Sequence, residues 1–398
     1  MVIDNFPAIS ENGWEQEGMP MLTAVATCRD YERKRVEDAL RKVLSACHGL
    51  DTIRPGMRVG IKMNLVSAMR PDQAATVHPE VLGALCRMLR ELGAEPVIGD
   101  SPGGTFLPAN LSVAYRVSGV QACERDGAVL NMDCSVEDVE FPSGTVMKHF
   151  KATGWLSRCD AIINVCKLKT HGMVGMSAAV KNLFGTIPGT VKPEYHYRFP
   201  NQRDFGNMLV DLNEYWKPVV SIADAVICME GNGPTKGQPR QVGCLAASCS
   251  PYALDLVLAD LIGLTADDVP TLRIAHERGL APLTAKEVPV ETDAPLDALR
   301  VADFVHSGAE SDLRFVSKGR LFSKAVGTVL ASKPALKKDA CVGCGKCAGI
   351  CPAGAITMEN GRPVIHRKRC IRCFCCQEFC PVGAMRVKRT AIARLLVH

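Results

Sequence analysis

The stretch CVGCGKCAGICP occupies residues 341–352, and the stretch CIRCFCCQEFCP, at residues 370–381, repeats its cysteine spacing. Each stretch reads C-x2-C-x2-C-x3-C and ends in proline. The two copies are offset by 29 residues, from Cys341 to Cys370 and from Cys351 to Cys380. Thiolates at this spacing are ligands for a metal or a metal cluster, so redox chemistry is the first hypothesis for this chain.

The double spacing resembles the two-cluster module of bacterial ferredoxins over roughly residues 337–390, a module that holds two [4Fe–4S] clusters. In that arrangement the fourth cysteine of each stretch crosses to the other cluster. The competing interpretation is a pair of zinc sites or free thiols. Cys375 stands beside Cys376 and is expected to be a bystander. The resemblance implies one cluster on Cys341, Cys344, Cys347 and Cys380 and another on Cys370, Cys373, Cys376 and Cys351.

The composition is that of an ordinary globular protein, with 47% hydrophobic and 22% charged residues in a chain of 398. This length allows two or three domains. The eight cysteines of the repeat leave 11 of the 19, scattered singly as in a reduced protein without a disulfide framework. No signal peptide is evident, and no apolar run approaches the ~20 residues that span a bilayer. These features predict a cytoplasmic protein without a membrane span.

The net charge of +5 is concentrated at the cysteine-rich end. Residues 339–398 contain ten Lys and Arg against three Asp and Glu, whereas the rest of the chain contains 37 against 39. This excess favours docking onto a redox partner protein with an acidic face, or onto an acidic face of the same chain. A merely solvated basic surface is the competing interpretation. We expect no nucleic-acid binding, because no aromatic-basic motif accompanies the charge.

Upstream of the repeat, apolar strands alternate with amphipathic helices. This alternation predicts an α/β domain with a largely parallel sheet and helices on both faces. Ser250 followed by Pro251 predicts a helix start. The predicted organisation is an α/β domain at 1–290, a connector at 291–336 with a short helix at 321–330, and a small α+β ferredoxin-like domain at 337–398. Strands are predicted at 58–64, 96–99, 128–132, 161–168, 219–229 and 242–247, and a helix at 111–125.

Polar residues cluster where the predicted strands end, which is where ligands bind in parallel α/β sheets. They predict a site for an anionic small molecule. We expect Lys169 and His171 to be catalytic, with His171 as the proton donor and a helix N-terminus near residues 172–174 aiding the anion. Solvated loop lysines are the competing interpretation, and Asp224 is either a ligand or a structural aspartate. The expected substrate-binding residues are Lys62, Asn64, Lys167, Lys181, Asn182 and Glu230.

Together these strand-end residues resemble the family named domain of unknown function 362, over about residues 55–290. Several members end in the same two-cluster module, so the resemblance implies an iron–sulfur protein but no particular reaction. Val77 and the pair before Pro251 are atypical positions, which implies a different ligand if they touch it. The resembling stretches are Lys62-x-Asn64, Thr76–Pro79, Gly99–Ser101, Lys167–His171, Lys181–Gly185, Glu230–Pro234 and Ala253–Asp255.

Three functions fit a ferredoxin module fused to such a domain. The first is a reductase that passes low-potential electrons to an anionic substrate or cofactor at the strand ends. The second is a carrier subunit whose α/β domain docks on a partner enzyme. The third is a maturation protein that reduces a bound metal or cofactor precursor. A homodimer in which the module reaches a neighbour's site is a further arrangement, and the sequence does not decide whether the protein is an enzyme.

Overall fold

The computed structural model of the chain describes residues 21–189, 191–307 and 332–388. The strands are β1 Thr23–Thr27, β2 Arg58–Met63, β3 Glu95–Gly99, β4 Val129–Leu130, β5 Val136–Glu140, β6 His149–Thr153, β7 Ala161–His171, β8 Gly175–Ser177, β9 Val220–Glu230, β10 Gln238–Ser248, β11 Val290–Thr292, β12 Lys333–Leu336, β13 Ile356–Glu359, β14 Arg362–Ile365 and β15 Met385–Lys388.

The helices cover both faces of the large sheet and also lie in the small cysteine-rich unit. They are α1 Arg33–Ala46, α2 Pro79–Glu91, α3 Pro108–Val117, α4 Ala179–Asn182, α5 Lys192–Arg198, α6 Gln202–Trp216, α7 Pro251–Leu261, α8 Pro270–Glu277, α9 Lys346–Gly349 and α10 Cys375–Glu378. Short 3-10 helices occupy Pro71–Gln73, Val120–Asp126, Leu156–Arg158, Leu183–Thr186, Ala285–Glu287, Leu296–Ala298 and Lys338–Ala340.

Within the described residues, nine strands form one mixed sheet. Eight of them follow the order β11-β1-β10-β9-β7-β2-β3-β4, and β8 pairs with β7. The strands from β9 to β4 are all parallel, whereas β10 runs antiparallel to both of its neighbours. All 11 residues of β7 are buried, as expected of a central strand covered on both faces. The predicted α/β class with a largely parallel sheet is confirmed.

The sheet separates two hydrophobic cores. One core packs α1, α2 and α3 against the sheet, and the other packs α4, α6, α7 and α8 against its opposite face. Ser250 caps α7 as predicted, since its side chain accepts a hydrogen bond from the amide of Ala253. The order of the strands brings the carboxyl ends of β2, β3 and β7 together at one edge.

Two predicted helical features are wrong. The helix expected at 111–125 ends at Val117, because Gly119 adopts a left-handed conformation and a 3-10 turn follows. The helix start expected near residues 172–174 is a turn between β7 and β8. His171 stabilises that turn, because its Nδ1 accepts hydrogen bonds from the amides of Met173 and Val174. The predicted helix at 321–330 lies outside the described residues.

The cysteine-rich unit is built from two short antiparallel pairs. Strand β12 pairs with β15, and β13 pairs with β14. Helices α9 and α10 occupy equivalent places in the two halves, each beginning after a left-handed residue, Gly345 or Phe374. This unit, residues 333–388, is called the cluster module below.

A substitution at Gly185 can test how tightly the carboxyl ends of the strands are packed. A Cβ at this position would overlap the Asp100 carboxylate and the Lys62 ammonium, which form a buried ion pair. We expect Gly185→Ala to lower the free energy of unfolding by about 2–4 kcal/mol, measured by urea denaturation, because it forces that pair apart. Gly349→Ala is the control, since no neighbouring atom crowds that position. Equal stability of the two variants would contradict the packing described.

Candidate functional site

A cavity of about 60 Å³ lies at the carboxyl ends of β2, β3 and β7. On this measure a water molecule needs about 10–15 Å³, so the space suits a few waters or a small anion. The α/β domain supplies most of the wall, and the cluster module closes it. The lining residues are Asn64, Val66, Asp100, Ser101, Pro102, Gly103, Lys169, Ser177, Lys181, Asn182, Phe184, Gly185, Lys192, Pro193, His196, Pro234, Glu378 and Phe379.

A buried ion pair borders the cavity. The Lys62 ammonium lies 2.8 Å from Asp100, and both side chains are almost fully buried. Burial lowers the pKa of Lys62, although the Asp100 carboxylate opposes this shift. The second Asp100 oxygen accepts the amide of Leu65 at 2.7 Å. The Asn182 amide donates to the carbonyls of Lys62 and Val165, so it ties β2 to β7. These groups form the framework of the site.

Lys169 reaches the cavity from the end of β7. Its ammonium donates to Asn64 Oδ1 and to the carbonyl of Ala75, each at 2.7 Å. Burial, together with the nearby Lys181 charge, lowers the pKa of Lys169 to about 7. The side chain therefore exchanges its proton near neutral pH, which suits an acid or a base in a reaction.

Lys181 presents a cation that no acceptor in the described part of the chain engages. Within the described ranges its ammonium makes no hydrogen bond, and it lies 5.7 Å from the centre of the Phe184 ring. Lys192, from α5, reaches the same cavity and donates to the carbonyls of Ser101 and Ile187. Burial lowers the pKa of both ammonium groups, that of Lys192 to about 7. Three lysines in one small cavity favour a negatively charged ligand.

Of the two histidines near the lysines, His196 lines the cavity, whereas His171, the expected proton donor, does not. His171 accepts two amide hydrogen bonds at Nδ1, so its proton is on Nε2, which lies 3.9 Å from Glu378 and has no hydrogen-bond partner. Burial and the Lys181 charge lower the pKa of His171 well below its ordinary value. This contact is therefore not an ion pair. His196 lines the cavity and stacks on Phe205 at 4.6 Å between ring centres, and burial lowers its pKa to about 3.

Three of the six expected binding residues, Lys62, Lys167 and Glu230, do not line this cavity. The Lys167 ammonium lies 2.8 Å from Asp224 and 2.6 Å from the Tyr31 hydroxyl, in a fully buried pair that joins β7 to β9. Asp224 is thus a structural partner of a lysine. Glu230 accepts the amide of Val305 at 3.0 Å and fastens that segment to β9. The expectation that Lys167 joins Lys169 and Lys181 on one anion is wrong, because the Asp224 pair holds it away.

The cluster module docks directly on the site through α10. The Gln377 amide donates to the carbonyls of Asn232 and Gly233, each at 3.0 Å, and is buried. The Thr235 hydroxyl donates to the carbonyl of Glu378 at 2.8 Å. The ring of Phe379 lies where a Cβ on Gly103 would be, so that position requires glycine. Glu378 and Phe379 thereby become part of the cavity wall.

The eight repeat cysteines line two small cavities in the cluster module. The ring of thiols around one cavity comes from Cys341, Cys344, Cys347 and Cys380. The other cavity is lined by Cys351, Cys370, Cys373 and Cys376, and also by Cys375. Apart from Cys375, the thiols fall into the two crossed sets of four that the ferredoxin resemblance implies. Among the described residues no group of three His, Cys, Asp or Glu side chains is spaced to hold a single metal ion.

The backbone around the two cavities repeats as the cysteines do. Gly343 and Gly345 have φ values of +71° and +72°, and the positions 29 residues later, Arg372 and Phe374, have φ values of +60°. Left-handed backbone at arginine and phenylalanine is strained, so the loop must be held in that shape by what it wraps. In both halves an amide, of Ala355 or Ala384, donates to a cysteine sulfur. The donor set and its cradle fit iron–sulfur clusters.

The fold and the site define an α/β protein with an iron–sulfur module at its strand ends. The chain belongs to the family described as Domain of unknown function (DUF362), whose model matches residues 59–260. The model of the 4Fe-4S dicluster domain matches residues 333–381. These two matches confirm the family and the module implied by the sequence.

Two other proteins are similar to this chain. Thylakoid-associated protein sll1697 of Synechocystis sp. is 33% identical over 277 residues, which cover 67% of this chain and 83% of that protein. The lactate racemase apoprotein of Thermoanaerobacterium thermosaccharolyticum superposes with a TM-score of 0.40 at 12% identity, over 61% of this chain and 57% of its own. Across the described ranges, none of the helices combines the length and the apolar character needed to cross a bilayer.

Sequence reasoning missed several residues of the cavity. Asp100 appears in the sequence only within the resembling stretch Gly99–Ser101, and Lys192 carries no signal beyond its charge. Glu378 and Phe379 sit between ligand cysteines, where spacing draws attention only to the thiols. Their place in the wall depends on docking between two units of the chain, which no local pattern encodes.

Sulfate binding to the cavity should weaken as the pH rises through about 7. Lys169 and Lys192, with pKa values lowered to about 7, are charged below that pH and lose their charge above it. Sulfate keeps its charge across this pH range. A change in its affinity with pH, measured by isothermal titration calorimetry, therefore reports the protonation of the lysines. We expect the affinity to fall about tenfold, the value of one charged hydrogen bond. An affinity that is the same on both sides of pH 7 would contradict the assignment.

Proposed function

We propose that this protein is a low-potential iron–sulfur oxidoreductase that passes electrons through two [4Fe–4S] clusters to a small anionic substrate in the lysine cavity. One observation carries the proposal. Glu378 and Phe379, which line the cavity, lie between Cys376 and Cys380 on a single turn of chain. The cavity wall and the thiols thus belong to the same few residues, so electrons need not cross a separate interface.

We assign the thiols to the clusters by the repeat spacing together with the two cavities, which leaves Cys375 without a cluster. Cys341, Cys344, Cys347 and Cys380 would hold one cluster, and Cys351, Cys370, Cys373 and Cys376 the other. When bound, the clusters supply one-electron transfer at low potential. The amides of Ala355 and Ala384 donate to sulfurs of Cys351 and Cys380, one in each set, and such bonds raise the reduction potential.

Both sets come close to the cavity wall along the chain. Glu378 lies two residues from Cys376 of the second set and two residues from Cys380 of the first, so each of these Cα pairs is at most about 7.6 Å apart. The second set also packs against the α/β domain, because Phe374 and Cys375, which stand between its ligands Cys373 and Cys376, belong to the same hydrophobic core as α4 and α6. This closeness supports electron delivery within one chain, and a neighbouring subunit is not needed to complete the site.

The lysines of the cavity would have two roles, anion binding and proton donation. Lys181, whose ammonium has no hydrogen bond in the described part of the chain, would hold the anion directly, with Lys192 beside it. Lys169 would donate the proton that accompanies an electron, because its pKa of about 7 lets it give up a proton at neutral pH. His171 is neutral, and its Nε2 lies 3.9 Å from Glu378. It would position the turn between β7 and β8.

Single cysteine substitutions should separate ligands from the bystander. We expect Cys351→Ala to lose about four of eight irons per chain, because its thiol lines the cavity of the second set. Cys375→Ala is the matched control and should keep about eight, since Cys375 lies outside both sets of four. Iron analysis and electron paramagnetic resonance of the reduced proteins measure both. Loss of iron from Cys375→Ala but not from Cys351→Ala would reverse the assignment.

Removal of the unpartnered cation should uncouple the clusters from the substrate. After chemical reduction, we expect the wild-type clusters to be reoxidised by at least one member of a panel of small carboxylates and phosphate compounds. Lys181→Gln should slow that reaction at least about tenfold, since it removes a charged contact to the anion. Its visible cluster spectrum should not change. Stopped-flow absorbance measures the rate, and Lys148→Gln, an exposed lysine far from the cavity wall, is the control.

The same experiment distinguishes the carrier interpretation. If the reduced wild-type protein is reoxidised only by other proteins and by none of the small anions, the cavity has no catalytic role. If Lys181→Gln reacts as fast as the wild type, the anion does not bind where the lysines lie.

A further inference from the structure

The thiol cavity lined by Cys341, Cys344, Cys347 and Cys380 opens onto an apolar surface. Val342, Met358 and Val382 line this cavity together with Cys341, Cys344, Cys347 and Cys380. Their side chains are 66%, 36% and 45% exposed, and the Cys344 thiol is exposed as well. Large apolar side chains usually avoid such exposure, so a group of three around one redox site calls for a partner. This surface is called the cluster rim.

Positive charge surrounds the cluster rim. Lys346 stands between two residues that line the cavity, and Arg362 donates to the carbonyl of Lys338, which places these two side by side. The exposed charges next to the lining residues comprise five basic and two acidic groups. They are Lys337, Lys338, Lys346, Arg362 and Arg386 against Asp339 and Glu359.

The other thiol cavity offers no comparable surface. Its ligands Cys373 and Cys376 are buried, and Phe374 and Cys375 beside them are part of the α/β core. The basic run at residues 367–369 flanks its Cys370, but Arg367 is partly engaged, since it donates to the carbonyl of Pro334. The two cavities therefore differ in their surroundings, since one is bordered by exposed apolar side chains and the other packs against the α/β domain.

We propose that the cluster rim is the docking surface for a small acidic one-electron carrier protein, which delivers the electrons used at the lysine site. In each encounter the reduced carrier loses one electron and the module gains it, with no bond made and no proton moved. The inference rests on the proposed function only in that the clusters carry electrons.

An apolar centre with a charged border suits this class of partner. Electron-transfer complexes are weak and small, below about 1,200 Å² of buried surface, so a few apolar residues suffice for contact. Opposite charge speeds the encounter and orients it, and the effect fades as salt screens it. A nucleic acid would use the charges but leave the apolar centre uncovered.

The test is the rate at which a reduced acidic plant-type [2Fe–2S] ferredoxin reduces the oxidised holoprotein, followed by stopped-flow absorbance at low and high salt. The rim variant is Lys338→Glu with Lys346→Glu, and the matched control is Lys368→Glu with Arg369→Glu, which reverses two exposed charges on the same module. We expect the rim variant to react about tenfold more slowly at low salt and to lose most of its salt dependence. The control should stay within about twofold of the wild type.

Two outcomes would overturn the inference. Equal slowing by both variants would mean that overall charge matters and the rim does not. A stable dimer in sedimentation, dissociated by the rim substitutions, would mean that a second copy of the chain covers this surface. Reduction by dithionite, which needs no docking, should be unchanged in both variants and shows that the clusters are intact.

The result is separable from the proposed function. After chemical reduction, the rim variant should still be reoxidised by the small anions that reoxidise the wild type. If no small anion reoxidises any form but the rim variant alone loses its reaction with the ferredoxin, the docking surface stands and the reductase proposal fails.

Discussion

The rest of the site depends on one contact, the docking of α10 against the exit loop of β9. The buried Gln377 amide satisfies the carbonyls of Asn232 and Gly233, which would otherwise lack donors at the edge of the sheet. These hydrogen bonds fix the position of α10 relative to the sheet. The ring of Phe379 then packs against the backbone of Gly103, which has no side chain. Without the contact, the lysine cavity would be an open groove and its ammonium groups would be hydrated.

Closure of the cavity changes the chemistry of its lysines. An ammonium group removed from water loses solvation, and its pKa falls unless an anion lies close by. Lys62 and Lys167 each have a carboxylate at 2.8 Å and serve the framework. Lys169, Lys181 and Lys192 have neutral partners, an aromatic ring or the more distant Glu378. The fold thus builds two kinds of buried lysine, one paired for stability and one available for a ligand.

Much of this could be predicted from the chain because the signals are local. The cysteine spacing is set by the size of a cubane cluster, and it predicts two crossed sets of four thiols. The apolar run at residues 161–168 predicted a strand of the parallel sheet, and the strand-end rule indicated where polar groups would meet. The turn at residues 172–174 was misjudged, because β7 continues past its apolar run and folds back as β8.

The sequence by itself determined the iron–sulfur module with its double cysteine repeat, the α/β class and the end of the sheet where the lysines gather, since each follows from spacing or periodicity within a short stretch. Only the tertiary structure decided which lysines share the cavity. Lys167 and Lys169 are two residues apart, yet a bulge between them in the β7–β9 pairing and the Asp224 carboxylate send them to different partners. The tertiary structure alone places Lys192, Glu378 and Phe379 at the lysine cavity. Contacts between distant segments depend on how two units pack, so they produce no periodic pattern in the sequence.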